Sequence, residues 1–213
     1  METVSWQSQH YLEPYATSRK MKLPAKLKRL GLFDEDREVS LLDTCCGGGD
    51  VLQILKQNGF KNLTGIDQHA IKNERETEIN FIVGDVLKMP FPDNTFDVVL
   101  NMHALHHMGN AETTHAFFLE VRRVLKPGGK FLIVDFPASL QIKLLFNLLR
   151  TRLFDLIGSL RNFADILNEE WSYLAPYLKD WLRVKRIITN GPMVLVKWNQ
   201  RFFLYYLSLK KEL

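Results

Sequence analysis

Apolar side chains along this chain follow two rhythms. Short continuous runs recur at Val39–Thr44, Leu63–Ile66, Phe81–Val83, Asp97–Leu100 and Lys130–Val134, each closed by turn residues. Runs of that length and composition predict strands buried on both faces. Between and around them the spacing lengthens to that of a helix. Trp6, Tyr11, Tyr15, Leu23, Leu27 and Leu30 predict a helix over Ser5–Leu32, interrupted at Pro14 and Pro24 and stopped by Gly31. Asp50 caps a helix carrying Val51, Leu52, Ile54 and Leu55. A third helix covers Ala111–Leu125 and ends at Lys126-Pro127-Gly128-Gly129. Glu169–Leu182 reads as helix, and the aromatic and β-branched content of Arg201–Lys211 favours strand. Strands alternating with helices predict crossover units around a mostly parallel sheet, an α/β architecture.

The 213 residues are 46% hydrophobic and 24% charged. That is enough apolar material for one sizeable core, so disorder is excluded as the main state. The only cysteines, Cys45 and Cys46, are adjacent, which excludes a disulfide scaffold and fits a reducing compartment. The first ten residues are polar, and no apolar run reaches the length of a membrane span. The expected location is cytoplasmic. The net charge of +4 is uneven, with 12 basic and 6 acidic side chains in residues 137–213 against 9 and 12 in residues 41–136. Such asymmetry fits an anionic partner, either nucleic acid or a membrane surface, or a solvated helix face, and the solvated face is favoured because no nucleic-acid module accompanies the charge.

The chemistry concentrates where strands end. Asp43 is followed by Cys45-Cys46-Gly47-Gly48-Gly49, then a helix. Open α/β sheets bind ligands outside the carboxyl ends of their strands, and glycines let a ligand approach the main chain there. Asp67 closes the second strand, where a carboxylate can accept both ribose hydroxyls of a nucleoside. Asp85 closes the third, where it can bond an exocyclic amine. Each acid alone reads equally well as a turn or helix cap, but three at successive strand ends point to a ligand. The loop does not fit G-x-G-x-x-G, and no phosphate-binding Gly-Lys-Ser/Thr pattern exists, so a dinucleotide is disfavoured.

These residues resemble class I S-adenosylmethionine-dependent methyltransferases of the small-molecule group, over about residues 39–136. Leu41–Gly49 resembles the family's first motif, and Ile66-Asp67-Gln68 the second. Gly84-Asp85-Val86 with Met89–Asp97 resembles the third and the lead into the fourth. Leu105-His106-His107-Met108 and Arg122–Gly129 resemble the two that follow. Cys45 departs from the pattern, standing where a loop glycine is usual and narrowing the space near the methionine moiety. The resemblance implies a three-layer Rossmann-like methyltransferase fold. It implies a seven-stranded sheet whose last antiparallel hairpin comes from about residues 183–210. It also implies S-adenosyl-L-methionine as cofactor. Asp43 and the backbone of Cys45, Gly47 and Gly49 would meet its amino acid moiety, and Asp67 the ribose. Gln68, Asp85 and Val86 would surround the adenine, and Asn101 would face the sulfonium.

Methyl transfer from a sulfonium needs alignment and dry surroundings, and a base where the nucleophile carries a proton. His103 and His106 are the candidate catalytic residues. A packing role competes with both, more strongly for His106 and its neighbour His107, because Leu-His-His is shared by members with different chemistry. A metal is not expected. The reading is one domain over 1–213: a helical cap (1–36), a cofactor-binding core (37–136), a helical lid (137–168) and a C-terminal helix with strands (169–213). The lid is rich in Leu, Ile and Phe, with Arg150, Arg152 and Arg161 between them. It fits a lipophilic small-molecule acceptor, peripheral membrane contact, packing on the sheet or a dimer contact. Tyr11, Tyr15 and Arg19 could close over the cofactor from the N-terminal side, and packing explains the two tyrosines equally well. Three other functions stay open: a cofactor-binding enzyme that cyclises rather than methylates, a non-catalytic partner protein, and an RNA methyltransferase.

Overall fold

The computed structural model of the chain describes residues 13–69, 79–137, 144, 171–201 and 204–213. Its centre is a seven-stranded sheet: β1 (Ser40–Thr44), β2 (Asn62–Asp67), β3 (Asn80–Val83), β4 (Phe96–Met102), β5 (Leu125–Asp135), β6 (Val194–Arg201) and β7 (Leu204–Lys210). The spatial order is β3-β2-β1-β4-β5-β7-β6. The first five strands are parallel, β7 is antiparallel to β5, and β6 is antiparallel to β7. The helices are α1 (Glu13–Leu30), α2 (Asp50–Gln57), α3 (Ala111–Val124) and α4 (Trp181–Asn190), with a further helical stretch over 171–179. This is the mostly parallel, doubly covered sheet that the strand–helix alternation predicts, in the three-layer Rossmann-like arrangement that the resemblance implies.

The strands form because both faces of the sheet have apolar layers to meet. On one face Leu41, Val98, Leu100, Leu132 and Val134 pack with Leu23 and Leu27 of α1 and Leu52 and Leu55 of α2. On the other, Leu42, Val99, Phe131 and Ile133 pack with Phe117 and Phe118 of α3 and Val184 and Ile188 of α4. Burying each such side chain contributes about 1.5–3 kcal/mol.

Three boundaries differ from the sequence reading. Helix α1 runs through Pro24 rather than breaking there. Leu23 and Leu27, one turn apart and both buried, anchor it on either side of the missing N–H. Gly49, with φ 75°, is the N-cap of α2, so Asp50 is its first residue rather than its cap. Residues 181–190 are helix, not hairpin, because Val184 and Ile188 fall on one face and bury. The hairpin shrinks to β6 and β7, and Phe202-Phe203 between them lie outside the described residues, as do Ser5–Leu12 and nearly all of the expected lid. Tyr11 and the side chains of Tyr15 and Arg19 also lie outside them.

Arg123 fixes the segment that follows β3. It donates to the carbonyls of Phe91 and Met89 and to the carboxylates of Asp93 and Glu120. Glu120 also accepts from the Met89 N–H. One side chain of α3 thereby holds the stretch leading away from Asp85 and Val86.

Candidate functional site

Because β1 to β5 are parallel, their carboxyl ends share one sheet edge. Register places Thr44 beside both Ile66 and Asn101, Asn101 beside Ile133, and Asp67 beside Val83. The candidates from five strand ends are therefore neighbours.

The turn after β1 is tight. Cys45 has φ 55° and Gly47 φ 51°, both in the left-handed region. That conformation is routine for Gly47 but strained for Cys45. At Gly49 a Cβ would stand 2.7 Å from the Phe81 ring of β3, so only glycine fits. The loop is tied across the edge by Asp67, whose Oδ2 accepts the Gly47 N–H at 2.9 Å. Its Oδ1 accepts the His69 N–H at 3.1 Å.

Asp43 is buried, and the loop beside it sits among carboxylates. Burial first, then Asp67, Asp43, Asp85 and Asp135, push the Cys45 thiol up to about 12. The Cys46 thiol is pushed up as well, by burial, Asp43 and Asp67. Neither is a thiolate near neutral pH, which agrees with reading Cys45 as a packing residue. Four carboxylates acting on one thiol make this edge electronegative, and such a basin fits a sulfonium or ammonium cation.

Asn101 is wholly buried. Its Nδ2 donates to Thr44 Oγ1 at 3.1 Å, and Thr44 Oγ1 donates to the Leu100 carbonyl at 2.8 Å. Asn101 Oδ1 is buried with no hydrogen-bond partner among the described residues. An orphaned acceptor of this kind costs about 1–3 kcal/mol and fits a site completed by a donor or cation.

Gln68 is exposed at the end of β2 and Val86 is buried after β3. Asp85 is exposed, and its Oδ1 accepts the Leu87 N–H at 2.8 Å. It caps its own turn while its charge reaches Cys45.

The histidines divide. His103, with φ 59°, lies with its Nε2 2.6 Å from Lys26 Nζ of α1, its ring 5.6 Å from that of Phe136. His106 is 1% exposed, and Asp135 accepts both its backbone N–H (2.8 Å) and a hydrogen bond from its Nδ1 (2.7 Å). Burial, the largest influence on Asp135, disfavours its charge. The His106 charge and hydrogen bond, with the His103 charge, outweigh it, so the carboxyl sits below its ordinary value. His107 stacks on Tyr173, centroids 4.6 Å apart and planes within 7°. Beneath Asp135, the hydroxyls of Tyr177 and Tyr205 meet at 2.7 Å, and burial, with the Asp135 charge adding to it, raises both phenols.

Asp135 and Lys26 escaped the sequence reading. Asp135 carried a signal, since it is one more acid at a strand end. Lys26 carried none, because 77 residues separate it from His103. Among the described residues no group of three or more His, Cys, Asp or Glu is placed to hold a metal. A shallow depression lined by Ser40, Lys61, Asn62 and Phe91 lies at the opposite sheet edge and holds none of the candidates.

Fold and edge together define a class of architecture: a Rossmann-like α/β domain with an acidic, glycine-turned edge at the carboxyl ends of its parallel strands. Residues 42–133 match the family model described as "Methyltransferase domain". Sterol 24-C-methyltransferase ERG6B of Gibberella zeae is 38% identical over 104 residues, which is 44% of this chain and 26% of that protein. The 2-phytyl-1,4-naphtoquinone methyltransferase of Nostoc punctiforme is 30% identical over 151 residues, 64% of this chain and 63% of that one. Among solved structures, magnesium protoporphyrin IX methyltransferase (ChlM) of Synechocystis PCC 6803 with bound SAH superposes with a TM-score of 0.59. The superposition covers 92% of this chain and 84% of that one at 14% identity, a likeness of fold. The chain spans about a quarter of the length of the first sterol relatives it matches.

Proposed function

We propose that the chain transfers the methyl group of S-adenosylmethionine to a small, lipophilic acceptor at oxygen, carbon or nitrogen. The observation that carries this reading is the electronegative edge around Cys45, with the Gly47 N–H held on Asp67. When bound, the cofactor supplies an electrophilic methyl on a sulfonium. The new bond forms between acceptor and methyl as the sulfur–methyl bond breaks, its electron pair staying on sulfur.

The residues divide the work. Asp43 and the backbone of Cys45, Gly47 and Gly49 hold the amino acid moiety. Asp67 accepts the ribose hydroxyls, while Gln68, Asp85 and Val86 border the adenine. Asn101 offers Oδ1 toward the cation. His103 takes the acceptor's proton where it has one. His106, enclosed and bonded to Asp135, orients the turn after β4 rather than exchanging protons. The chain works as a single cytoplasmic domain, with membrane contact supplying lipophilic acceptors. The relatives named for sterol and naphthoquinone methylation support that acceptor class. Among the described residues no helix is long and apolar enough to cross a membrane.

The test is calorimetric titration with S-adenosylmethionine and S-adenosylhomocysteine, on the wild type and on Asp67→Ala. It is followed by mass analysis of sterol and quinone acceptors. Micromolar binding lost in the variant, with product heavier by one methylene, is the expected result. A folded protein that binds neither ligand sinks the reading. An isomerised product of unchanged mass indicates cyclisation instead.

A further inference from the structure

From Trp181 to Lys211 the sequence holds seven basic side chains and no acid. The fold places two of them, Lys197 and Arg201, on one flank beside Arg29 of α1. Strand β6 is one of the sheet's two edge strands among the described residues, with Lys197 and Arg201 exposed along it. Register sets Asn199, midway between them, opposite Tyr206 of β7. On Tyr206 lies Arg29 of α1, its guanidinium 5.9 Å from the ring centroid and within 3.4 Å of the hydroxyl. Arg29, Lys197 and Arg201 therefore belong to one continuous surface, although 172 residues separate the first from the last. Lys185 of α4 reaches the other side of the same strand, 5.7 Å from the Trp198 ring.

This flank also carries outward aliphatic side chains. Val194 and Val196 on β6 are 46% and 62% exposed. Val196 sits where the register shifts between Leu195 and Lys197, so the bulge turns it out of the ladder. Basic side chains around outward aliphatic ones match an anionic bilayer. Phosphates and carboxylates at its surface meet the cations, and the headgroup boundary takes up the valines. A nucleic acid would satisfy the charges but leave the aliphatic groups in water. The position is apt as well. Arg201 pairs with Leu204, one step beyond the Asp135–Tyr205 pair, so this end of the hairpin lies on the same sheet edge as the candidate site.

We infer that the β6 flank, with Arg29, Lys197, Arg201, Val194 and Val196, docks the protein on an anionic phospholipid surface and brings the site's rim beside it. This rests on the methyltransferase reading only for its purpose, the supply of a lipophilic acceptor.

Flotation with phosphatidylcholine vesicles, with and without phosphatidylserine, tests it on the full chain. Binding is expected to the anionic vesicles alone and to weaken steeply as salt is raised. Lys197→Gln with Arg201→Gln should cut partitioning about thirty-fold, each cation near such a surface being worth about a factor of five. Val196→Asp should cut it while leaving the unfolding midpoint and S-adenosylhomocysteine affinity unchanged. Equal binding to neutral vesicles, absence of binding at low salt, or a stronger salt-dependent affinity for single-stranded RNA would each overturn the inference. Calorimetry with S-adenosylhomocysteine on the same samples separates this failure from failure of the methyltransferase reading.

Discussion

Lys26 Nζ stands 2.6 Å from His103 Nε2, so an ammonium on helix α1 donates to the ring proposed as base. While that contact lasts, Nε2 cannot take a proton. Lys26→Met should therefore raise the rate of methyl transfer to an acceptor that must be deprotonated, with cofactor affinity unchanged. His103→Asn should lower it by about 10²-fold or more. Single-turnover rates for both variants, across pH, check the pair; a His103→Asn enzyme as fast as wild type removes the base role.

Asp67→Ala removes the acceptor that holds the Gly47 N–H as well as the proposed ribose contact. A hydrogen bond to a charged group is worth about 1.5–3 kcal/mol, so affinity for S-adenosylhomocysteine should fall about ten- to a hundred-fold. Asp67→Asn should retain part of it. Titration calorimetry reads both.

Gly49→Ala forces a Cβ against Phe81 at a φ of 75°. The strained backbone alone costs about 1–3 kcal/mol. A lowered urea midpoint is expected, with partial rescue by Phe81→Leu. Cys45→Gly is the converse case: it relieves a left-handed non-glycine residue, so stability should hold or rise and cofactor affinity should improve.

The native Asp135 carboxyl lies below its ordinary value of 3.8. Its contribution to stability is thus fully present above that pH and is lost as pH falls through the lower native value. Asp135→Ala strands a buried histidine and should cost about 3–5 kcal/mol at pH 7. Urea unfolding at pH 7 and in strong acid should show the gap between variant and wild type closing in acid.

Thiol labelling checks the electronegative edge without any ligand. With the Cys45 thiol pushed up to about 12 and Cys46 also raised, native protein should react slowly with iodoacetamide at pH 8, and both should react once unfolded. A fast native thiol would show that the edge is more open or less acidic than described.

The parallel strands were legible because each is buried on both faces, which leaves a continuous apolar run such as Val98 to Leu100. The turn chemistry at Gly47 and Gly49 was legible because a left-handed backbone favours glycine at both. What escaped was set by tertiary packing. The hairpin over residues 183–210 was implied by the family resemblance, and the joint burial of Val184 and Ile188 on one face makes 181–190 a helix instead. The contact from Lys26 to His103 depends on how α1 crosses the sheet, which no local pattern encodes. The enclosure of His106 follows from Asp135 lying opposite it, a pairing hidden by the 29 residues between them.

Strand β7 inserts beside β5 from far along the chain, and this sets an order of events during synthesis. Residues 40–135 can assemble five parallel strands as soon as they emerge. Until residues 204–210 follow, β5 presents Phe131 and Ile133 on an open edge, a template for pairing with a neighbouring nascent chain. A ribosome stalled before β7 would release a species prone to self-association, so the waiting time between those two strands is the interval in which a chaperone has most to protect.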